Sequence, residues 1–262
     1  MSHNVKPKKS LGQHFLTDET VAQRIAETVD ACPQLPVVEV GPGMGVLTKY
    51  LLTQHPDLKV VELDRESVEW LKKNLKALNP DNIVEGDFLK MNLDTFFPDR
   101  EICIIGNYPY NISSQIFFHV LDYRDTVRCC AGMLQKEVAE RLAAPPGTKA
   151  RGILSVLLQA WYNVEYLFTV DATVFYPAPK VKSGVVRMIR NNVNSLGCDE
   201  KAFKTVVKTT FSQRRKTLRN SVKPLIPPDW KPSPEIEALL SLRPEQLTVD
   251  QFIQLTRAVQ KI

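Results

Sequence analysis

Glu39-Val40-Gly41-Pro42-Gly43-Met44-Gly45 is the stretch on which the fold turns. Val37-Val38-Glu39-Val40 reads as a short buried strand, and Leu47, Leu51 and Leu52 mark a helical segment beyond the glycines. A strand that enters a helix through three glycines lets the backbone approach a ligand without Cβ clashes. On both sides the same alternation continues. Residues 17–31 read as a helix, with Thr17 or Asp18 as cap and Val21, Ile25 and Val29 on one face. Residues 59–63 read as a strand, 66–78 as a helix, and Ile83-Val84 as a short strand. Ile102 to Ile105 is an apolar strand, 114–121 a helix and 127–134 a further strand. Strands alternating with helices predict a mostly parallel sheet covered on both faces. Pro145-Pro146-Gly147 marks an exposed loop, and segments 161–168 and 183–189 are expected to pair antiparallel at the sheet edge. After Asn191-Asn192, residues 199–222 and 234–260 read as helices separated by prolines. The expected division is therefore an α/β domain over 1–191 and a small all-helical domain over 192–262.

Three acidic residues stand in register with the strand ends. Glu39 precedes the loop, Glu62 closes the second strand 21 residues after Gly41, and Asp87 follows the third. A carboxylate at the second position can accept hydrogen bonds from both ribose hydroxyls, and Asp87 can receive an adenine amino group. The glycine spacing is GxGxG rather than the GxGxxG of dinucleotide sites, and a carboxylate beside the loop suits a cationic ligand end. The pattern resembles the S-adenosylmethionine-binding motif of Rossmann-like methyltransferases, a resemblance that makes Gly41, Gly43 and Gly45 cofactor-loop residues. A tight structural turn with surface acids is the plainer reading, but it leaves the register of Glu39, Glu62 and Asp87 unexplained.

Asn107-Tyr108-Pro109-Tyr110 follows the fourth strand and resembles the (Asn/Asp)-x-Pro-(Tyr/Phe) motif of methyltransferases acting on exocyclic amines of bases. The adenine 6-amino nitrogen is a poor nucleophile because its lone pair is conjugated with the ring. Acceptors around its two hydrogens, here the Asn107 side-chain carbonyl and the Tyr108 backbone carbonyl, favour the pyramidal form. Pro109 stiffens that backbone, and Tyr110 offers a stacking face for an extruded base. In Phe175-Tyr176-Pro177-Ala178-Pro179-Lys180-Val181-Lys182-Ser183 the prolines hold an extended loop, Phe175 is expected on the opposite face of the base, and Lys180 and Lys182 are expected to meet phosphates.

Charge is segregated. The net +5 of the 262 residues combines +3 over residues 1–16 and +10 over 172–223 with −8 over the rest. An acidic body with two basic segments suits a polyanion bound by selected surfaces. The run from Lys201 to Lys223 holds eight basic residues and no acid; by itself it reads first as a solvated helix face, and as a nucleic-acid surface only beside an active site that needs one. Five cysteines without CxxC spacing argue against a disulfide framework or a zinc site, and the four histidines show no metal-ligand spacing, so no metal is expected. No membrane-length apolar run, secretory signal or transit peptide is visible, which suggests a cytoplasmic protein.

Taken with Lys8-Lys9-Ser10-Leu11-Gly12-Gln13-His14-Phe15-Leu16, Gly86-Asp87-Phe88-Leu89 and Phe211-Ser212-Gln213-Arg214-Arg215-Lys216-Thr217-Leu218-Arg219-Asn220, these motifs resemble the ribosomal RNA adenine dimethylases of small-subunit type over essentially the whole chain. The resemblance implies transfer of four methyl groups from S-adenosylmethionine to two adjacent adenosines in the 3′-terminal hairpin loop of 16S rRNA. It implies that His14, Leu16, Gly41, Glu62, Asp87 and Phe88 line the cofactor pocket, that Asn107 holds both cofactor and target amine, and that Tyr110 and Phe175 sandwich the base. It also implies rRNA contacts by Arg214, Arg215, Lys216 and Arg219. Two positions depart from the family pattern: His14 stands where asparagine is common, and Tyr108 where leucine is common. The Tyr108 ring is expected to matter little. The related Erm-type methylases of large-subunit rRNA, mitochondrial transcription-factor relatives, DNA adenine methylases and a purely binding ribosome-assembly factor are the competing readings. A monomer is assumed, with the small ribosomal subunit as partner.

Overall fold

The computed structural model describes residues 5–8 and 11–260. Lys9 and Ser10 of the N-terminal motif, and His3, lie outside the described residues.

Among the described residues nine strands and ten α-helices follow in chain order: β1 (Phe15–Leu16), α1 (Glu19–Ala26), β2 (Val37–Val40), α2 (Thr48–Gln54), β3 (Lys59–Glu62), α3 (Arg65–Asn74), β4 (Ile83–Glu85), β5 (Ile102–Asn107), α4 (Ser113–Asp122), β6 (Val127–Gln135), α5 (Lys136–Ala143), α6 (Ile153–Gln159), β7 (Tyr162–Val170), β8 (Phe175–Tyr176), β9 (Ser183–Arg190), α7 (Glu200–Ser212), α8 (Leu218–Ser221), α9 (Pro234–Leu240) and α10 (Val249–Gln260). The main sheet has the order β4-β3-β2-β5-β6-β9-β7. β4 through β6 are mutually parallel, and β9 runs antiparallel to β6. The strand order reverses between β2 and β5, the place where open α/β sheets bind ligands. β1 and β8 form a separate antiparallel pair, Phe15 opposite Tyr176 and Leu16 opposite Phe175.

Local chemistry accounts for the element ends. Asp18, not Thr17, caps α1 by accepting from the Val21 amide at 3.0 Å. Thr17 instead bonds the Val174 carbonyl through both its amide and its hydroxyl. β2 and β5 are buried along almost their whole length, as strands covered on both faces must be. Gly106 and Gly132 are register partners in β5 and β6, and the Tyr108 ring fills the space beside both. A Cβ at Gly132 would lie 2.3 Å from the Gly106 carbonyl oxygen and 2.6 Å from that ring.

The chain divides into two compact units, Met1–Ala139 with Val164–Arg190 and Glu140–Asn163 with Asn191–Ile262. This differs from the expected cut at 191/192, because residues 140–163 group with the C-terminal helices. The sequence reading placed no helix there. Yet Leu142 of α5, and Leu154, Val156, Leu157 and Leu158 of α6, are buried. The Arg151 guanidinium, wholly buried, ties this segment together by donating to the Ala144 carbonyl at 2.7 Å and to Gln159. In the same unit, Phe211 of α7 stacks on Phe252 of α10 with centroids 6.1 Å apart. The expected continuous helix over 199–222 is broken. α7 stops at Ser212, and a turn closed by Lys216 N–H to the Gln213 carbonyl precedes α8.

Candidate active site

At the carboxyl ends of the parallel strands lies a cavity of about 370 Å³, within the range of small-molecule sites. It is lined by Leu11–Leu16, by the loop after β2, by Val61–Leu63, by Gly86–Leu89 and by Asn107–Ile112. These are the carboxyl ends of β2 to β5 together with the N-terminal segment. The structure thus brings together His14, Leu16, Gly41, Gly43, Glu62, Asp87, Phe88, Asn107, Tyr108, Pro109 and Tyr110.

Gly41 has φ +68°, and a Cβ built on it meets nothing within 4 Å because it projects into open space. That is a backbone surface left bare for a ligand. Gly45 differs: its Cβ would press on Leu71 of α3 and on Leu75 just past its end, so it serves packing and does not line the cavity. Glu62 is fixed by two backbone donors, Gly43 N–H to Oε2 at 3.0 Å and Asp64 N–H to Oε1 at 2.8 Å. Burial raises its pKa against those bonds. Asp87 caps the following turn through the Leu89 amide and keeps its other oxygen toward Lys90. Leu63, 53% exposed yet lining the cavity, and buried Phe88 add apolar walls. Leu63 escaped the sequence reading, although its place directly after the ribose-type carboxylate was the available signal.

Glu39 is not among the lining residues. It is fully buried beneath the loop, and neither carboxyl oxygen has a hydrogen-bond partner. Burial pushes its pKa up to about 8. The Thr48 hydroxyl eases this through its proximity but makes no bond of acceptable geometry. An orphaned buried carboxyl under a bare glycine loop fits a ligand that brings positive charge.

The Asn107 side chain donates from Nδ2 to the His14 backbone carbonyl at 3.0 Å. A carbonyl only accepts, so this bond sets the amide orientation and leaves Oδ1 as the free acceptor. The Tyr110 hydroxyl meets Ser183 Oγ at 2.6 Å, which accounts for the serine ending the proline-rich motif. Burial raises the Tyr110 pKa. His14 Nδ1 donates to the Pro177 carbonyl at 2.7 Å, and its ring stacks on Tyr110 with centroids 5.3 Å apart and planes at 30°. The imidazole therefore faces the aromatic side of the cavity.

Phe175 is not brought to the cavity. Opposite Leu16 in the small sheet, its side chain is 5% exposed within the hydrophobic core. Its neighbour Tyr176 is the exposed aromatic of that strand. The Tyr108 ring also matters more than expected: it is 1% exposed, donates to the Ala131 carbonyl at 2.7 Å and meets Phe117 edge-on. Among the expected RNA contacts, Lys180 is exposed and Lys182 pairs with Asp171 at 3.0 Å. In the other unit Arg214 donates to the Lys149 carbonyl, Arg215 and Lys216 are exposed on the turn, and Arg219 pairs with Glu237. All five cysteines are free thiols. Among the described residues no group of three or more His, Cys, Asp or Glu is placed to hold a metal, and no helix is long and apolar enough to cross a membrane.

A sheet of this order, with a bare glycine loop, a doubly anchored carboxylate one strand away and an Asn-x-Pro-Tyr turn at the switch point, defines a Rossmann-like methyltransferase that uses S-adenosylmethionine. The family model for ribosomal RNA adenine dimethylase matches residues 4–261, and the chain belongs to that family. "Ribosomal RNA small subunit methyltransferase A" of Parabacteroides distasonis is 62% identical over 258 residues, covering 98% of this chain and 95% of the relative. The protein of the same description from Bacteroides thetaiotaomicron is 62% identical over 257 residues, with the same coverage. Among solved structures, a dimethyladenosine transferase from Plasmodium falciparum superposes with TM-score 0.78 at 24% identity, covering 95% of this chain and 98% of that one, and shares the fold. The 23S rRNA methyltransferase ErmE gives 0.70 at 25% identity, covering 94% and 99%.

Proposed function

We propose that this protein dimethylates the 6-amino groups of two adjacent adenosines in the 3′-terminal hairpin loop of small-subunit rRNA, acting in the cytoplasm on small ribosomal subunits. The observation that carries the reading is the Asn107 amide in the cavity wall, whose Nδ2 is pinned by the His14 carbonyl, which leaves Oδ1 to act as an acceptor. Relatives named for the small subunit, at 62% identity, favour it over the large-subunit branch, of which ErmE is 25% identical.

In this mechanism Glu62 takes the ribose, Asp87 the adenine amine, Leu63 and Phe88 the faces of the adenine, and bare Gly41 the methionine side. Bound there, S-adenosylmethionine supplies an electrophilic methyl group on sulfur. Asn107 Oδ1 and the Tyr108 carbonyl accept from the target amine and turn its lone pair out of conjugation. Tyr110, held by Ser183, supports the extruded base. Once the new N–C bond makes the nitrogen acidic, its proton passes to solvent water, so Asn107 needs no basicity. Catalysis is then positioning and charge complementarity. Phe175 reaches the base only by leaving its core position, and Lys180, Arg214, Arg215, Lys216 and Arg219 meet phosphates.

The test uses purified ribosomal subunits lacking these modifications and methyl-labelled S-adenosylmethionine. About four methyls on two neighbouring adenosines of the small-subunit RNA are expected from the resemblance that residues Asn107–Tyr110 carry. Label on large-subunit RNA moves the protein to the other branch. Binding without label makes it an assembly factor.

A further inference from the structure

The N-terminal segment that lines the cavity is tethered at two ends of different character. On its C-terminal side β1 pairs with β8, and Thr17 bonds Val174, so that end is held by backbone. On its N-terminal side the tether runs to the turn between β3 and α3: the buried carboxylate of Asp64, with the exposed Glu66 beside it 3.2 Å from Lys8 Nζ, a solvated contact that holds little. Lys8 Nζ lies 2.6 Å from Asp64 Oδ1, and Gln13 Nε2 lies 3.4 Å from Oδ2. Gln13 in turn accepts from the Lys8 amide at 2.9 Å, which closes a small ring of contacts. Between the tethers Gly12 sits at φ +63°, where its would-be Cβ is 2.6 Å from Asn111 Oδ1.

Asp64 is 2% exposed, and Lys8 is 36% exposed, so this ion pair is sheltered on the acidic side only. Burial works to raise the Asp64 carboxyl, but the bonds from Lys8 and Gln13 and the Lys8 charge outweigh it. The Asp64 amide also donates to Glu62 Oε1. The carboxylate assigned to the ribose and the carboxylate that holds the segment are thus joined through one backbone turn.

We propose that Asp64, through Lys8 and Gln13, latches residues 11–16 closed along the occupied cofactor cavity, and so sets how fast the cofactor leaves. The inference rests on the cofactor reading above. Asp64 is a positioning residue here, since it is not among the residues lining the cavity. The latch matters for a product carrying two methyls, because each adenosine then needs a second cofactor.

The experiment is a chase of labelled S-adenosylmethionine from the full chain. Lys8→Ala is expected to raise the dissociation rate about tenfold, the scale of one lost charged hydrogen bond, with Lys8→Arg near wild type. Asp64→Asn keeps a good helix cap for α3 and is expected to match Lys8→Ala. The double variant is expected to be no faster than either single one. High salt is expected to speed release from the wild type but not from Lys8→Ala. Wild-type dissociation rates in Lys8→Ala and Asp64→Asn, or additive effects in the double variant, overturn the latch. Failure of the wild type to retain the label overturns the cofactor reading instead.

Discussion

Replacing Glu39 with glutamine is expected to stabilise the protein, by an amount that grows with pH. The Glu39 carboxyl is fully buried without a hydrogen-bond partner, and burial holds its pKa at about 8 against an ordinary 4.5. Between those two values the folded chain binds a proton that the unfolded chain has released. Stability contributed at this site is therefore intact below the unfolded pKa and falls as pH rises toward the folded one. With 1.36 kcal/mol per pKa unit, the cost is under about 1 kcal/mol at pH 5 and roughly 3 kcal/mol at pH 7. These are upper limits, because relaxation and water entry soften the penalty. Glutamine has the same shape and never ionises. The assay is urea unfolding of both proteins at pH 5, 6, 7 and 8. The variant should gain up to roughly 3 kcal/mol at pH 7, on the order of 5–10 °C in Tm, and little at pH 5. Parallel stability–pH curves across that range would refute the assignment of a raised Glu39 pKa.

Three further outcomes follow from single contacts. Asn107→Ala is expected to abolish methyl transfer while small-subunit association persists, read by label incorporation and co-sedimentation; near wild-type turnover removes Asn107 from the mechanism. Gly41→Ala places a methyl group in the cavity at a left-handed φ, so calorimetry should show cofactor affinity lower by about tenfold or more. Tyr108→Phe deletes the bond to the Ala131 carbonyl and should cost about 1 kcal/mol in denaturant unfolding, with the methylation rate retained.

The contiguous parts of the site were legible as sequence. Glu39–Gly45, Glu62, Asp87 and Asn107–Tyr110 each sit at a strand end, and a parallel sheet places all strand ends on one edge. Periodicity located β2 to β6 within two residues, because buried strands are continuous apolar runs. Residues 140–163 were misplaced because an amphipathic segment shows that it buries a face, but not against which partner. The break after Ser212 was missed because turn geometry there is set by tertiary bonds such as Arg214 to Lys149.

By itself, then, the sequence determined which residues gather at the strand ends around the cavity and in what order, since local spacing and strand direction suffice for that. Contacts between distant segments were decided by packing: Phe175 turned into the core, His14 stacked on Tyr110, Lys8 reaching Asp64, and Glu39 sealed away from every donor. Burial and pairing are properties of the space around a side chain, and that space exists only once the whole domain has closed.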